Sequence, residues 1–162
     1  MNIIKKVIFL LLLLSFGRAY SQEIEPLKNE EMVKQIFQDN EKKIVVINLW
    51  AQWCQPCKIE MPGLVKFSKE NADDMKLILV SLDDKKDLET KTKPFLKSCD
   101  VDFISYINAF DKDEKLIMML DKNWEGAIPA TFFYKDGVLV KSLIGMQDEK
   151  QFQKALNEVK KM

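Results

Sequence analysis

The stretch LWAQWCQPCKIEMPGL, residues 49–64, decides the interpretation of this 162-residue chain. It holds two of the three cysteines, Cys54 and Cys57, separated by two residues. The apolar run KIVVINLW (43–50) just before them is rich in β-branched residues and predicts a buried strand. The residues after Cys54 have helical spacing. The pair therefore falls where a strand gives way to a helix.

A cysteine at a helix N-terminus has a stabilised thiolate, because unpaired backbone N–H groups and the helix dipole favour negative charge there. Pro56 fits the first helical turn, where no N–H is needed. The short spacing lets Cys57 resolve a mixed disulfide formed at Cys54. We interpret the pair as a redox dithiol, with its own disulfide and no external cofactor as the redox centre.

Two structural roles for the pair are weaker alternatives. A stapling disulfide that closes so small a loop removes little entropy from the unfolded chain. A zinc site needs more ligands, and only Cys99 remains in a chain without histidine. Lys58 follows Cys57, so the haem-attachment pattern C-x-x-C-H is absent. We therefore predict no metal.

Composition excludes several classes of function. With no histidine, Ser-His-Asp and Cys-His sites are impossible, and no arginine follows Arg18 to clamp a phosphate. The 25 basic and 25 acidic residues balance, so the chain lacks the excess of positive charge that is typical of nucleic-acid-binding proteins.

The N-terminus predicts a signal peptide over residues 1–21. Lys5 and Lys6 precede a short apolar run, and Ala19-Tyr20-Ser21 offers a cleavage point before Gln22. An uncleaved N-terminal anchor is the alternative. Either way, a domain over residues 22–162 would work outside the cytoplasm, where disulfides persist.

Periodicity predicts one α/β domain in which helices flank a mixed sheet. Residues 22–26 are predicted to be a loose leader, and the helix after Cys54 is predicted to bury Ile59, Leu64 and Phe67. Asp136-Gly137 between two apolar runs is a strong hairpin signal. The predicted elements are helices at 27–38, 54–69, 113–124 and 148–161, strands at 43–50, 76–82 and 103–110, a charged loop with a surface helix at 83–98, and a hairpin at 129–145.

WCQPC after an apolar strand, Pro62 in the next helix and IPAT (128–131) before a hairpin together resemble the thioredoxin superfamily. The leader, NLWAQWC, WCQPCKIEMP and WEGAIPATFFYKDG (124–137) resemble its extracytoplasmic TlpA/ResA-like branch. The resemblance implies a thioredoxin-like fold with a helical insertion before the C-terminal hairpin. We also expect a monomer.

The resemblance also implies residue roles. Cys54 matches the attacking cysteine and Cys57 the resolving one. Pro129 matches a cis-proline, and the backbone of Ile128 would pair with an extended substrate chain. Glu60, three residues after Cys57, would relay protons and raise a thiol pKa, although a solvated surface glutamate is the alternative.

Trp53, Gln55 and Pro56 complete the predicted substrate-contacting residues, with core packing as the alternative for Trp53. Asn48 stands where cytoplasmic thioredoxins have a buried aspartate, so Glu60 would have to move protons alone. Trp124 is predicted either to border the site or to pack in the core.

The sequence thus predicts an extracytoplasmic enzyme that reduces protein disulfides and receives electrons from a membrane thiol carrier. The resemblance makes cytochrome c maturation and cell-envelope redox homeostasis candidate roles. A disulfide oxidase or isomerase, with a strongly acidic Cys54, is one alternative. A non-catalytic module that docks a partner along Ile128-Pro129 is another.

Overall fold

A six-stranded mixed sheet forms the centre of the protein, in a computed structural model that describes residues 23–38 and 44–162. Its order is β1-β4-β3-β2-β5-β6. The first four strands in this order run parallel, and β5 and β6 each run antiparallel to the strand before them. The strands are β1 (Ile24–Leu27), β2 (Ile44–Trp50), β3 (Met75–Ser81), β4 (Ser105–Asn108), β5 (Ala130–Lys135) and β6 (Val138–Ile144). The predicted signal peptide lies outside the described residues.

Helices cover both faces of the sheet and confirm the predicted α/β architecture. They are α1 (Glu30–Gln38), α2 (Gln55–Glu70), α3 (Lys93–Ser98), α4 (Asp113–Leu120) and α5 (Glu149–Lys161). The predicted helical insertion before the hairpin is present. It begins with a 3-10 turn (Lys85–Asp87) and a π-helical turn (Leu88–Thr92), and it continues into α3.

Strand β2 is the central element because both of its faces are buried. Val46 and Trp50 pack into a core cluster with α2 and α5, while Val45 and Ile47 pack into a second cluster with α1 and α4. Burial on both faces explains why the strand is a continuous apolar run. Asn48 is its one polar residue, and its side chain is fully buried.

Helix α2 confirms two of the three predicted inward residues. Leu64 and Phe67 are fully buried, but Ile59 is 59% exposed, so its predicted burial is wrong. The next residue, Glu60, is the one that turns inward, at 4% exposure. Successive helical residues are about 100° apart, so burying Glu60 turns Ile59 toward solvent.

The predicted loose leader is wrong, because residues 24–27 form β1. The strand pairs in parallel with β4, from Ile24 opposite Ser105 to Leu27 opposite Asn108. A four-residue strand that contains Pro26 gives almost no alternation signal. Its place at the edge of the sheet explains why the proline is tolerated.

The hairpin agrees closely with its prediction. Asp136 and Gly137 both have positive φ, at 50° and 79°, as the tight turn between β5 and β6 requires. In the described part of the chain, no helix has both the length and the apolar character needed to cross a membrane.

The capping box at the start of α5 gives a stability prediction. The Asp148 carboxylate accepts from the Gln151 backbone N–H at 2.8 Å, and the Gln151 side chain accepts from the Asp148 N–H at 2.8 Å. Asp148→Ala should lower the free energy of unfolding by about 1 kcal/mol, since it leaves a helical donor without its partner. Urea unfolding would measure this, with the exposed Lys150→Ala as the control. An equal loss in both variants would contradict the role of the cap.

Candidate active site

The two cysteines of the C-x-x-C element form a disulfide at the start of α2. Their Cα atoms are 5.3 Å apart. Cys54 is the N-cap of the helix, and its sulfur accepts from the Cys57 backbone N–H at 3.3 Å. A donor aimed at this sulfur, together with the N-terminal end of the helix dipole, would stabilise a thiolate on Cys54 after reduction.

The two sulfurs differ in their access to solvent. Cys54 is 6% exposed, whereas Cys57 is completely buried, one turn into the helix. A disulfide or thiol of another molecule can therefore approach only through Cys54. The geometry by itself separates an outer cysteine from an inner one.

The residues around the outer cysteine present an uncharged surface. Trp53 is 69% exposed, so the core-packing alternative for it is wrong. Gln55 and Pro56 are exposed too, and Pro56 lies in the first turn of α2 as predicted. Trp50, in contrast, is fully buried and packs on Phe95, with ring centroids 5.4 Å apart.

The Ile128–Pro129 peptide bond is cis, as the resemblance implies. Since Ala130 lies opposite Leu49, Pro129 adjoins the end of β2 from which the cysteine loop departs. Pro129 is buried, and its carbonyl oxygen accepts from the Gly145 N–H at 2.8 Å. The structure thus places the cis-proline and the cysteine pair at the same end of the sheet, next to the C-terminal end of β2.

Trp124 packs in the core and also supports the backbone that leads to the cis-proline. It is 5% exposed and meets Phe132 edge-to-face, with centroids 5.2 Å apart. Its Nε1–H donates to the Ala127 carbonyl oxygen at 2.9 Å. The indole therefore holds the backbone one residue before Ile128.

Glu60 is a buried acid, which rules out the surface alternative. Its side chain lies one helical turn beyond Cys57, and both residues are buried on the inner face of α2. One carboxylate oxygen accepts from Asn48 Nδ2 at 2.9 Å, and the other accepts from the Gln147 backbone N–H at 2.9 Å. These donors come from β2 and from the loop after β6.

Burial raises the pKa of Glu60 from the ordinary 4.5 to about 7, and the two hydrogen bonds from Gln147 and Asn48 only partly oppose this rise. Desolvation dominates because taking a carboxylate out of water penalises its charged form. A carboxyl group with this pKa gains and loses its proton near neutral pH, which suits proton transfer.

Asn48 and Thr131 are site residues whose roles the sequence did not predict. Asn48 Nδ2 donates to Thr131 Oγ1 at 3.0 Å as well as to Glu60, so β2, β5 and α2 share one buried polar cluster. Asn48 Oδ1 has no hydrogen-bond partner among the described residues. Rotation of the amide would let this oxygen accept from a protonated Glu60, so the cluster suits both protonation states. The available signal was a single amide within an otherwise apolar strand.

Cys99 is a free, buried thiol at the C-terminal end of α3. Burial raises its pKa, and Ser98 and Asp100 act on it in opposite directions, the first lowering and the second raising the value. Cys99 is therefore poorly suited to attack. Among residues 23–38 and 44–162 no group of three or more potential ligands is arranged to hold a metal ion.

Residues 24–142 match the model of a known family, described as the AhpC/TSA family. The chain belongs to this family. Among curated proteins, the chain is similar to "Thiol-disulfide oxidoreductase ResA" of Bacillus cereus, 31% identical over 125 residues, which are 76% of this chain and 67% of that protein. The chain is therefore a homologue of thiol-disulfide oxidoreductases and has a C-x-x-C-spaced cysteine pair.

One further curated protein and one solved structure are similar to the chain. "Thioredoxin-like protein YneN" of Bacillus subtilis is 36% identical over 70 residues, which are 43% of this chain and only 41% of that protein. The crystal structure of a thioredoxin-related protein from Neisseria meningitidis serogroup B superposes with a TM-score of 0.65 at 23% identity, over 77% of this chain and 90% of that one. The predicted thioredoxin-like fold is confirmed.

The raised pKa of Glu60 predicts a pH-dependent stability. Between pH 4.5 and 7 the folded oxidised protein holds a proton that the unfolded chain has lost, so its stability falls as the pH rises. Each tenfold difference in proton affinity is worth about 1.4 kcal/mol, so the loss approaches about 3 kcal/mol above pH 7. Glu60→Gln removes this loss.

Urea unfolding of the oxidised proteins at pH 5 and pH 8 measures the effect. The gap between Glu60→Gln and the wild type should widen in favour of the variant by about 2 kcal/mol from the lower to the higher pH. Glu70→Gln, which replaces a half-exposed acid on the same helix, is the matched control and should show no such widening. A gap that is identical at both pH values would contradict the buried, titrating carboxyl.

Proposed function

We propose that this protein is an extracytoplasmic thiol–disulfide oxidoreductase that reduces disulfide bonds in other proteins. The observation that carries the proposal is the Cys54–Cys57 disulfide at the N-terminus of α2, one turn before the buried Glu60. It combines an accessible sulfur, a hidden sulfur and a proton-exchanging acid on one helix. This combination suits a reversible two-electron dithiol couple.

In the reduced protein, the Cys54 thiolate attacks one sulfur of a substrate disulfide. A mixed disulfide forms between Cys54 and the substrate, and the first substrate sulfur leaves as a thiolate that takes up a proton. Cys57 then attacks the Cys54 sulfur, which releases the second substrate thiol and closes the Cys54–Cys57 disulfide. Two electrons and two protons pass from the protein to the substrate.

Glu60 serves the second step as the base. Cys57 is buried and must lose its proton before it attacks, and Glu60 lies on the same face one turn away. With a pKa of about 7, an ionised Glu60 can accept that proton at neutral pH. Asn48 and the Gln147 N–H hold the carboxylate in place while it does so.

Two charge effects on the thiols support the reducing direction. Side chains three residues apart on a helix lie about 5–6 Å apart, so an ionised Glu60 disfavours a Cys57 thiolate by about 3 kcal/mol at an effective dielectric constant of about 20. The helix terminus stabilises a thiolate by at most about 2 kcal/mol. The repulsion acts on Cys57 and the helix terminus acts on Cys54, so ionisation of the two thiols adds little stability to the reduced form, which supports a reducing role for the protein.

The substrate is a protein whose disulfide lies in an extended, accessible segment. Trp53, Gln55 and Pro56 supply an uncharged contact surface, and the Ile128 backbone beside Pro129 supplies main-chain pairing. Disulfides of apocytochrome c, formed between its haem-attachment cysteines, belong to this class. A membrane thiol carrier returns the electrons, and the N-terminal signal sequence over residues 1–21 directs the domain out of the cytoplasm.

The redox potential tests the direction of electron flow. Equilibration of a Cys99→Ser background with thiol–disulfide buffers, read by the exposed Trp53, should give a potential at or below the thioredoxin value of about −270 mV. Glu60→Gln should raise the potential at pH 8, because it removes the negative charge that disfavours a Cys57 thiolate. The rise should be a few tens of millivolts, since about 1.4 kcal/mol corresponds to 30 mV. A wild-type value near that of protein disulfide isomerase, about −180 mV, would instead assign an isomerase or oxidase.

Mixed-disulfide trapping tests the substrate class and the compartment. Cys57→Ala removes the resolving thiol, so adducts at Cys54 should accumulate in cells and dissociate when a reducing agent is added. The captured proteins should be extracytoplasmic. Cys54→Ala and Cys99→Ala, each added to Cys57→Ala, are the controls: the first should capture nothing, and the second should leave the captured set unchanged.

Two trapping outcomes would reject the proposal. Adducts formed mainly with cytoplasmic proteins would reject the compartment. Equal, non-covalent recovery of one partner by the wild type and by Cys54→Ala would favour the non-catalytic docking module.

A further inference from the structure

Asp83 is a buried carboxylate that takes no part in the exchange steps of the proposed function. It is 6% exposed and lies two residues beyond the end of β3. Because β2 and β3 are parallel neighbours, this position adjoins the end of β2, where the cysteine loop begins. The next residue back, Leu82, donates its N–H to the Trp50 carbonyl oxygen at 2.8 Å.

Three donors from three separate segments converge on the Asp83 side chain. One oxygen accepts from the Gln52 backbone N–H at 2.7 Å. The other accepts from Ser81 Oγ at 2.8 Å, on β3, and from Thr92 Oγ1 at 2.9 Å, at the end of the π-helical turn. Ser81 and Thr92 are buried as well, so most of the group is shielded from solvent.

The Gln52 contact matters because Gln52 belongs to the turn that carries the outer cysteine. Residues 51–54 form this turn, which is closed by a 3.1 Å hydrogen bond from the Cys54 N–H to the Ala51 carbonyl oxygen. Trp53, inside the turn, is mostly exposed and gives it little anchoring by packing. Asp83 therefore anchors the turn through a hydrogen bond from the backbone of Gln52, two positions before Cys54.

The same contacts join the turn to the helical insertion. Gln52 Nε2 donates to the Lys91 carbonyl oxygen at 3.3 Å, and Thr92 donates to Asp83. The insertion, residues 85–98, is thus linked to the cysteine loop through one carboxylate and one amide. A carboxylate suits this position because it offers only acceptors to a set of donors.

We propose that Asp83 is a positioning residue for disulfide exchange: it holds the 51–54 turn so that the Cys54 sulfur stays at the N-terminus of α2, and it couples this turn to the insertion. The inference rests on exchange at Cys54 and not on the direction of electron flow. Asp83 acts through the backbone of Gln52 and does not contact the reacting sulfurs.

Positioning and charge predict opposite changes, so they can be separated. If Asp83 holds the turn, Asp83→Ala lets Cys54 leave the helix terminus, and the pKa of its thiol rises. If Asp83 acted through its negative charge, removing the charge would lower that pKa. Asp83→Asn removes the charge but keeps an acceptor for the Gln52 N–H, while the Ser81 and Thr92 hydroxyls can turn to face the new amide.

The experiment measures the reaction of the reduced protein with dithiobis(nitrobenzoate), a small aromatic disulfide, as a function of pH in the Cys99→Ser background. Asp83→Ala should react about tenfold more slowly at pH 7, with the pH profile displaced to higher pH. Asp83→Asn should restore most of the rate. Asp84→Ala, which removes the neighbouring exposed acid paired with Lys86, is the matched control and should react like the wild type.

Thr92→Val provides a second arm in case Asp83→Ala does not fold. It removes one donor to Asp83 and keeps the backbone carbonyl of Lys91 that accepts from Gln52, so a two- to threefold slower reaction is the effect expected from a weakened Asp83 anchor. A folded Asp83→Ala or Thr92→Val that reacts at the wild-type rate would overturn the inference. So would a pH profile displaced to lower pH in both Asp83 variants. A wild type whose Cys54 does not react at all would instead reject the proposed function.

Discussion

The antiparallel pairing of β5 with β2 is the constraint on which the site depends. It sets Ala130 opposite Leu49 and Thr131 opposite Asn48. This register places the cis-proline next to the C-terminal end of β2, where the cysteine loop begins. It also places Asn48 and Thr131 on the face of the sheet that is covered by α2, where Glu60 lies. A slip of β5 by one residue would turn Thr131 to the other face of the sheet, against α1 and α4 and away from Asn48. The cluster around Glu60 and the position of Pro129 thus depend on a single choice of register.

Two buried carboxylates lie near the start of α2, and their surroundings suit them to different tasks. Glu60 accepts two hydrogen bonds within an apolar setting, and desolvation raises its pKa to about 7, so its proton is exchangeable at neutral pH. Asp83 accepts three hydrogen bonds from three segments, which makes it an anchor for the backbone. These surroundings support the two proposed roles, proton transfer for Glu60 and anchoring of the 51–54 turn for Asp83. The cysteine pair, on the first turn of α2, lies between the Gln52 contact of Asp83 and the side chain of Glu60 along the chain.

The sequence predicted an element correctly where residues close together in the chain determine that element. The Asp136-Gly137 turn and the buried strand ending at Trp50 needed no tertiary information, and the spacing of the cysteine pair was enough to place it at a strand-to-helix junction. What the sequence could not supply were contacts between distant segments. Strand β1 exists because β4 pairs with it, and Ile59 is exposed because Glu60 takes the inward position. Asp83 looked like one acid in a charged loop, since its donors lie 31 residues before it and 9 residues after it.

The burial of Glu60 is itself an argument for function. A carboxyl group whose pKa rises from 4.5 to about 7 reduces stability by about 3 kcal/mol once the pH exceeds 7, whereas a glutamine in the same place would not. That loss is a large part of the roughly 5–15 kcal/mol that typically holds a domain folded. An acid held at such a cost, one helical turn from a buried cysteine, is poorly explained by packing. The proposed function explains it, because Cys57 would need a neighbouring base to take its proton before it attacks.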